Sequence, residues 1–126
     1  MKIYDYENLE VYKLAFKLQQ KIFELSKSFP KEERYSLTDQ IRRSSRSIGA
    51  NIAEAWGKRK YIAHFQSKLS DSDSEKAETQ HWLKTAFYCK YINKETYVSL
   101  MEEYKHVGGM LGNMINNAAH WCSSLK

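Results

Sequence analysis

The chain has 126 residues, 42% of them hydrophobic, with five glycines and one proline. This suffices for one domain with its own core, residues 1–126, and leaves too few turn residues for an all-β fold. The formal charge of +5 points toward anionic partners (nucleic acid, an acidic membrane surface or acidic protein), although small proteins also carry such charge for solubility.

Leu9, Tyr12, Ala15, Phe16, Ile22, Phe23 and Leu25 recur at three- and four-residue steps and predict a first helix over about Asn8–Ser28. Pro30 disfavours helical geometry at Phe29 and ends it. A second helix is expected from Ser36 to about Gly57. Its start, "SLTD", reads as a capping box with Ser36 as N-cap and Asp39 reaching back, and its stripe is Leu37, Ile41, Ile48, Ile52 and Ala55. The third spans about Tyr61–Tyr91. Its middle, "SDSDSEKAETQ", is polar almost all round, so a kink or break near Ser70–Ser74 is expected. Asn93 is the N-cap expected for the fourth, Lys94 to about Trp121, where Gly108 and Gly109 interrupt the apolar spacing and would serve close packing. Four amphipathic helices with short connections predict an all-α, antiparallel up-down-up-down four-helix bundle.

No apolar run approaches the ~20 residues that cross a bilayer, and "MKIYDYENLE" lacks the apolar region of a signal peptide. Cys89 and Cys122 form no C-x-x-C motif. A cytoplasmic protein with reduced thiols is therefore expected, with no membrane partner. His64, His81, His106 and His120 are scattered and pair with no cysteines or Glu-x-x-His motif, so neither a zinc nor a di-iron site is expected. Phosphate loops, nucleophile elbows and kinase signatures are missing from the sequence too. The reading is a non-enzymatic chain with no catalytic residues, metal, cofactor or small-molecule substrate.

The segment Gln40–Lys60, "QIRRSSRSIGANIAEAWGKRK", carries six Lys/Arg and a single acid, Glu54. On a helical wheel Arg42, Arg43 and Arg46 lie roughly opposite the isoleucines, followed by Gly49, Ala50, Ala53 and Gly57. Small residues on an outer face suggest that another backbone approaches. The arginines have three readings. They are solvated or paired within the chain. They pair across subunits with Glu54, Glu75 or Glu78. Or they bind phosphate, which their planar fork suits as well as it suits carboxylate. Lys58, Arg59 and Lys60 are a solvated corner or a phosphate-contacting rim. Asn51 borders the isoleucine stripe and would hydrogen-bond across the bundle. Tyr4, Tyr6, Tyr61, Tyr88, Tyr91 and Trp121 would lie outside the core, capping bundle ends, anchoring interfaces or stacking bases.

"LEVYKLAFKL", "FPKEERYSLTDQIRRSSRSIGANIAEAWGKRK", "HFQSKLSDSDSEKAETQHWL" and "CKYI" follow one another along the chain. This order resembles the four-helix-bundle family named for 23S rRNA intervening sequences, also called S23 ribosomal proteins. A related branch is the accessory variability protein of diversity-generating retroelements. The resemblance covers Leu9 to about Ile92, and more weakly the rest. It implies a bundle that assembles into a homopentameric barrel, without known enzymatic activity, and it implies binding of structured RNA or RNA–DNA hybrid through a basic surface. Two departures stand out: Ala55, where many members carry glycine, and "SDSDS", where many are Ala-rich. The expected function is a homo-oligomer that holds nucleic acid largely through Arg42, Arg43, Arg46, Lys58, Arg59 and Lys60. Gly49, Ala50, Ala53, Gly57, Glu75 and Glu78 would then form subunit contacts. The alternative is a scaffold with a protein partner, in which the arginines serve assembly.

Overall fold

The structure, a computed structural model, describes residue 3 and residues 5–123. Among these all regular structure is helical: α1 (Glu10–Ser26), α2 (Leu37–Gly57), α3 (Ile62–Tyr88), α4 (Lys94–Asn116) and a short α5 (Ala118–Ser123), with single 3-10 turns at Tyr6–Asn8 and Lys31–Glu33.

The ends differ from expectation for local reasons. The chain enters α1 through the 3-10 turn, where a capping box does form: Asp5 accepts from the Glu7 N–H at 2.8 Å and Asn8 accepts from the Asp5 N–H at 3.2 Å. At α2 the expected box is absent. Ser36 is the N-cap but makes no side-chain cap bond. Glu33 takes that role, accepting from the Ser36 hydroxyl at 2.7 Å and the Leu37 N–H at 3.4 Å. Glu33 also accepts from the Tyr91 hydroxyl at 2.8 Å, which ties the first connection to the third and pushes Tyr91 up to about 12. Asn93 caps α4 as expected, accepting from the Thr96 N–H at 2.8 Å.

Side-chain pairs descend along one helix as they rise along the next. Arg42 meets Ser26, and Arg46 meets Phe23. Arg43 meets Glu75, and Ser72 meets Ile48. Gln66 meets Ile115, and Phe87 stacks on Tyr97. Between α1 and α4, Lys21 meets Glu103. Each of the four long helices touches two of the others and not the one diagonally across, which is the arrangement of an antiparallel bundle.

The core is built on Ala15, Leu18 and Ile22 of α1, Ile41, Ile48 and Ile52 of α2, Phe65, Leu69 and Leu83 of α3, and Tyr104, Val107 and Leu111 of α4. In α3 the buried positions Phe65, Leu69, Ser72, Thr79, Leu83 and Ala86 follow a heptad in which Lys76 holds the remaining place. Lys76 pairs with Asp73 at 3.3 Å. Its ammonium would lie 2.8 Å from a Cβ added at Gly108, so that glycine makes room for the lysine, whereas nothing approaches Gly109 within 4 Å.

The third helix is continuous through Ser70–Ser74, without the expected break. Its serines are small enough to bring α3 against α2. Ser72 is fully buried and donates to the Ile48 carbonyl of α2 at 2.9 Å. Thr79, also fully buried, lies 2.8 Å from the Ser44 hydroxyl of α2 and 2.9 Å from the Glu75 carbonyl. Tertiary packing thus overrides the mediocre helix propensity of Ser and Asp.

α3 stops three residues before the expected end at Tyr91. Lys90 adopts φ 65°, and the N–H groups of Lys90 and Tyr91 bond back to the carbonyls of Phe87 and Ala86, both at 2.9 Å. This is a Schellman motif with lysine where glycine is usual. Lys90→Gly should therefore raise stability by about 1 kcal/mol, read as a higher thermal midpoint by circular dichroism. The expected long fourth helix ends at Asn116, and Asn117 starts a turn into α5.

Candidate nucleic-acid interface

The three arginines of α2 diverge. The Arg42 Nε donates to the Ser26 hydroxyl at 2.7 Å, and that hydroxyl donates to the Phe23 carbonyl at 2.9 Å. The Arg42 guanidinium lies 4.8 Å from the Phe23 ring centroid, the Arg46 guanidinium 5.4 Å, and the Lys27 ammonium 4.8 Å. Three cations thus share one half-buried ring, whose negative face favours them. Lys27 also pairs with Glu24 at 3.1 Å. Among the described residues no carboxylate forms an ion pair with Arg42 or Arg46. With Arg43, Asp39, Ser47 and Ala50 they line an open hollow of about 500 Å³.

Arg43 is turned toward α3. Its guanidinium lies 2.6 Å from Glu78 and makes two contacts of 3.3 Å with Glu75. Glu75 and Glu78, expected at a subunit interface, are thus bound to their own chain's arginine. Glu54 pairs with Lys68 at 2.8 Å rather than with an arginine. Glu78 also accepts from the Trp82 indole N–H at 3.1 Å. That bond, and then Arg43, hold its pKa below the ordinary glutamate value. A carboxyl lowered on folding stabilises the fold above its unfolded pKa, and the effect is lost as pH falls through the folded value. The thermal midpoint should therefore hold down to about pH 5 and fall in stronger acid. Glu78→Gln should make that fall shallower, measured by melting curves across pH.

The second basic run is likewise split. Lys58 caps α2 and is exposed, and the Lys60 ammonium lies 5.8 Å from the Tyr61 ring. Arg59 is half-buried. Its guanidinium lies 3.5 Å from the Trp56 ring centroid, and its Nε donates to the Trp56 carbonyl at 2.9 Å. Burial lowers its pKa from a value so high that the charge persists. Trp56 meets Trp121 of α5 edge-on at 6.3 Å. Arg59 therefore holds a corner of the fold, and Lys58 and Lys60 are the exposed cations of this run, ~24 Å along α2 from Arg42.

Of the small residues, Gly49 is buried inside the chain, where an added Cβ would sit 3.4 Å from Tyr12, so it does not join the outer face. Ala50 and Gly57 are exposed and Ala53 half-buried. Asn51 donates to the Ser47 carbonyl of its own helix at 3.0 Å, not across the bundle. On the α3 side of α2, Asn51, Asp71, Ser74, Glu75 and Glu78 line a hollow of about 320 Å³. α2 thus has a basic hollow on one flank and an acidic one on the other.

Phe16, read as core from its spacing, is 45% exposed. It stacks on Tyr12, with ring centroids 6.1 Å apart and planes at 25°, and Tyr12 meets Tyr6 edge-on at 4.9 Å. Tyr12, Phe16, Gln19 and Phe23 fall at 4-3-4 steps, so one flank of α1 carries them beside Arg42, Arg46 and Gly49 of α2. A signal existed: the apolar residues of α1, from Leu14 and Leu25 round to Phe16, span about 200° of the helix, more than one core-facing stripe. Tyr61 and Tyr88 are exposed, and Tyr91 and Trp121 are half-buried. Tyr4 lies outside the described residues.

Cys89 is exposed and Cys122 buried, both as free thiols, and burial raises the Cys122 pKa. Among the described residues no three His, Cys, Asp or Glu side chains gather to hold a metal ion, and no helix is long and apolar enough to cross a membrane.

The fold and this surface define an all-helical bundle with an arginine-lined hollow beside an aromatic stripe. The chain belongs to the 23S rRNA-intervening sequence protein family, whose family-wide sequence pattern matches residues 7–113. It is similar to a solved structure from Bacteroides thetaiotaomicron, a protein of unknown function from the S23 ribosomal protein family. Identity is 31%, coverage is 84% of this chain and 95% of that one, and the TM-score is 0.76. The comparison with curated proteins gave no match.

Proposed function

We propose that this chain is a non-enzymatic, homo-oligomeric bundle, pentameric as the family resemblance implies, that binds structured RNA or other nucleic acid largely through phosphates. The observation that carries this reading is the pair Arg42 and Arg46, held on Phe23 without a carboxylate ion-pair partner among the described residues. Ring contact and the Ser26 bond order these side chains before any ligand arrives, which lowers the entropy lost on binding. The Ser26 bond uses only one of the five donors of Arg42, so the fork keeps capacity for a bidentate anion. Lys58 and Lys60 add a second point of phosphate contact.

Assembly is supported by the exposed small positions Ala50 and Gly57, where another backbone can come close. Repeating the basic patch around the ring would add avidity without new contacts.

The opposite charges of the hollows flanking α2 favour a second reading, in which the arginines of one copy seat in the acidic hollow of the next, head to tail, and the assembly is a scaffold for another protein. Titrating the purified protein with a fluorescent RNA hairpin at rising salt separates the two. The nucleic-acid reading expects binding at low salt and a log–log slope near −0.9 for each phosphate neutralised. A lack of binding even at about 50 mM salt removes it.

A further inference from the structure

We infer that the α1–α2 face takes unpaired nucleotides, with a base stacked on Phe16 and neighbouring phosphates on Arg42 and Arg46; this rests on the nucleic-acid reading above. Phe16 sits mid-helix, is 45% exposed, and adjoins a ring that is itself stacked on it, Tyr12. Phe23, seven residues further on and ~10.5 Å along the axis, carries the cations Lys27, Arg42 and Arg46. Aromatic rings beside a cationic track are what single strands need, because every base has a face that stacks and the phosphates follow the charge. A duplex has its bases paired and stacked internally, so it can use the cations but not Phe16. The opposing charges on this face are Glu24, which Lys27 neutralises at 3.1 Å, Asp39, which lines the hollow with both arginines, and Glu7, whose charge reaches Tyr12. Among the described residues neither Arg42 nor Arg46 is drawn into an ion pair with any of them.

The test uses the whole chain, a fluorescently labelled oligouridine of about twelve nucleotides and a blunt RNA duplex of equal length. Phe16→Ala should weaken the oligouridine about tenfold or more and leave the duplex unchanged. Phe16→Trp should keep the affinity and show tryptophan quenching on binding beyond that of the parent chain. Circular dichroism and solution mass, run on each variant, report folding and assembly. Unchanged oligouridine affinity in Phe16→Ala, or an equal loss on the duplex, overturns the inference and leaves phosphate binding standing. A changed solution mass overturns it as well, by placing Phe16 in a contact between copies. If the parent chain binds neither polymer, the nucleic-acid reading itself has failed.

Discussion

Replacing Arg42 and Arg46 together by alanine should weaken RNA binding about ten- to a hundredfold at moderate salt and make the salt slope shallower by about 1.4–1.8. The slope is the stronger readout. Each lost phosphate contact removes about 0.9 from it on a duplex and about 0.7 on a single strand, whatever the base sequence. Arg43→Ala supplies the contrast. Arg43 is engaged with Glu75 and Glu78, so its loss should leave the slope nearly unchanged. Its effect on stability should also be small, because the Arg43 side chain is 49% exposed and solvent screens such pairs to about 0–1 kcal/mol. Arg42→Lys is informative in a different way: charge remains, but the planar fork and its Ser26 bond are lost. Identical slopes for the double variant and the parent would place the phosphate contacts elsewhere. A drop in solution mass in the double variant would instead support the assembly reading.

Ser44→Leu should destabilise the bundle by about 2–3 kcal/mol and lower the thermal midpoint by roughly 10 °C. Ser44 is fully buried and lies 2.8 Å from the Thr79 hydroxyl across the α2–α3 seam. Leucine would push apart two backbones that come close enough for Ser72 to reach the Ile48 carbonyl. It would also withdraw one acceptor from Thr79, leaving the Glu75 carbonyl at 2.9 Å. Ser44→Ala should cost well under half as much, because it fills no extra space and Thr79 keeps its second acceptor. Ser70→Leu, on the facing helix α3, is the matching control. Ser70 is exposed, so its substitution should change stability by about 0.5 kcal/mol or less. A Ser44→Leu variant as stable as the parent would show that the seam is not tightly packed.

Both sites are settled by packing between helices rather than by neighbours in the chain. Neighbours along the chain already set the number and order of the long helices, the stop at Pro30, the cap at Asn93, the isoleucine stripe of α2 and the placement of six cations on one segment. Each depends on residues within about one helical turn of each other, so neighbours in the chain decide them. Tertiary structure alone decided which side of α1 faces inward. Its apolar residues cover more than one face, and the small Ala15 turned in while Phe16 was left out. It also decided that a serine-rich stretch stays helical, because Ser72 gains its Ile48 partner only when α2 lies alongside. The same holds for the arginines. Arg43 and Glu75 are 32 residues apart, and Arg42 and Ser26 are 16 apart. Separations of that size are closed by packing, not by local propensity, and the packing is what set one arginine against carboxylates and left two on an aromatic ring.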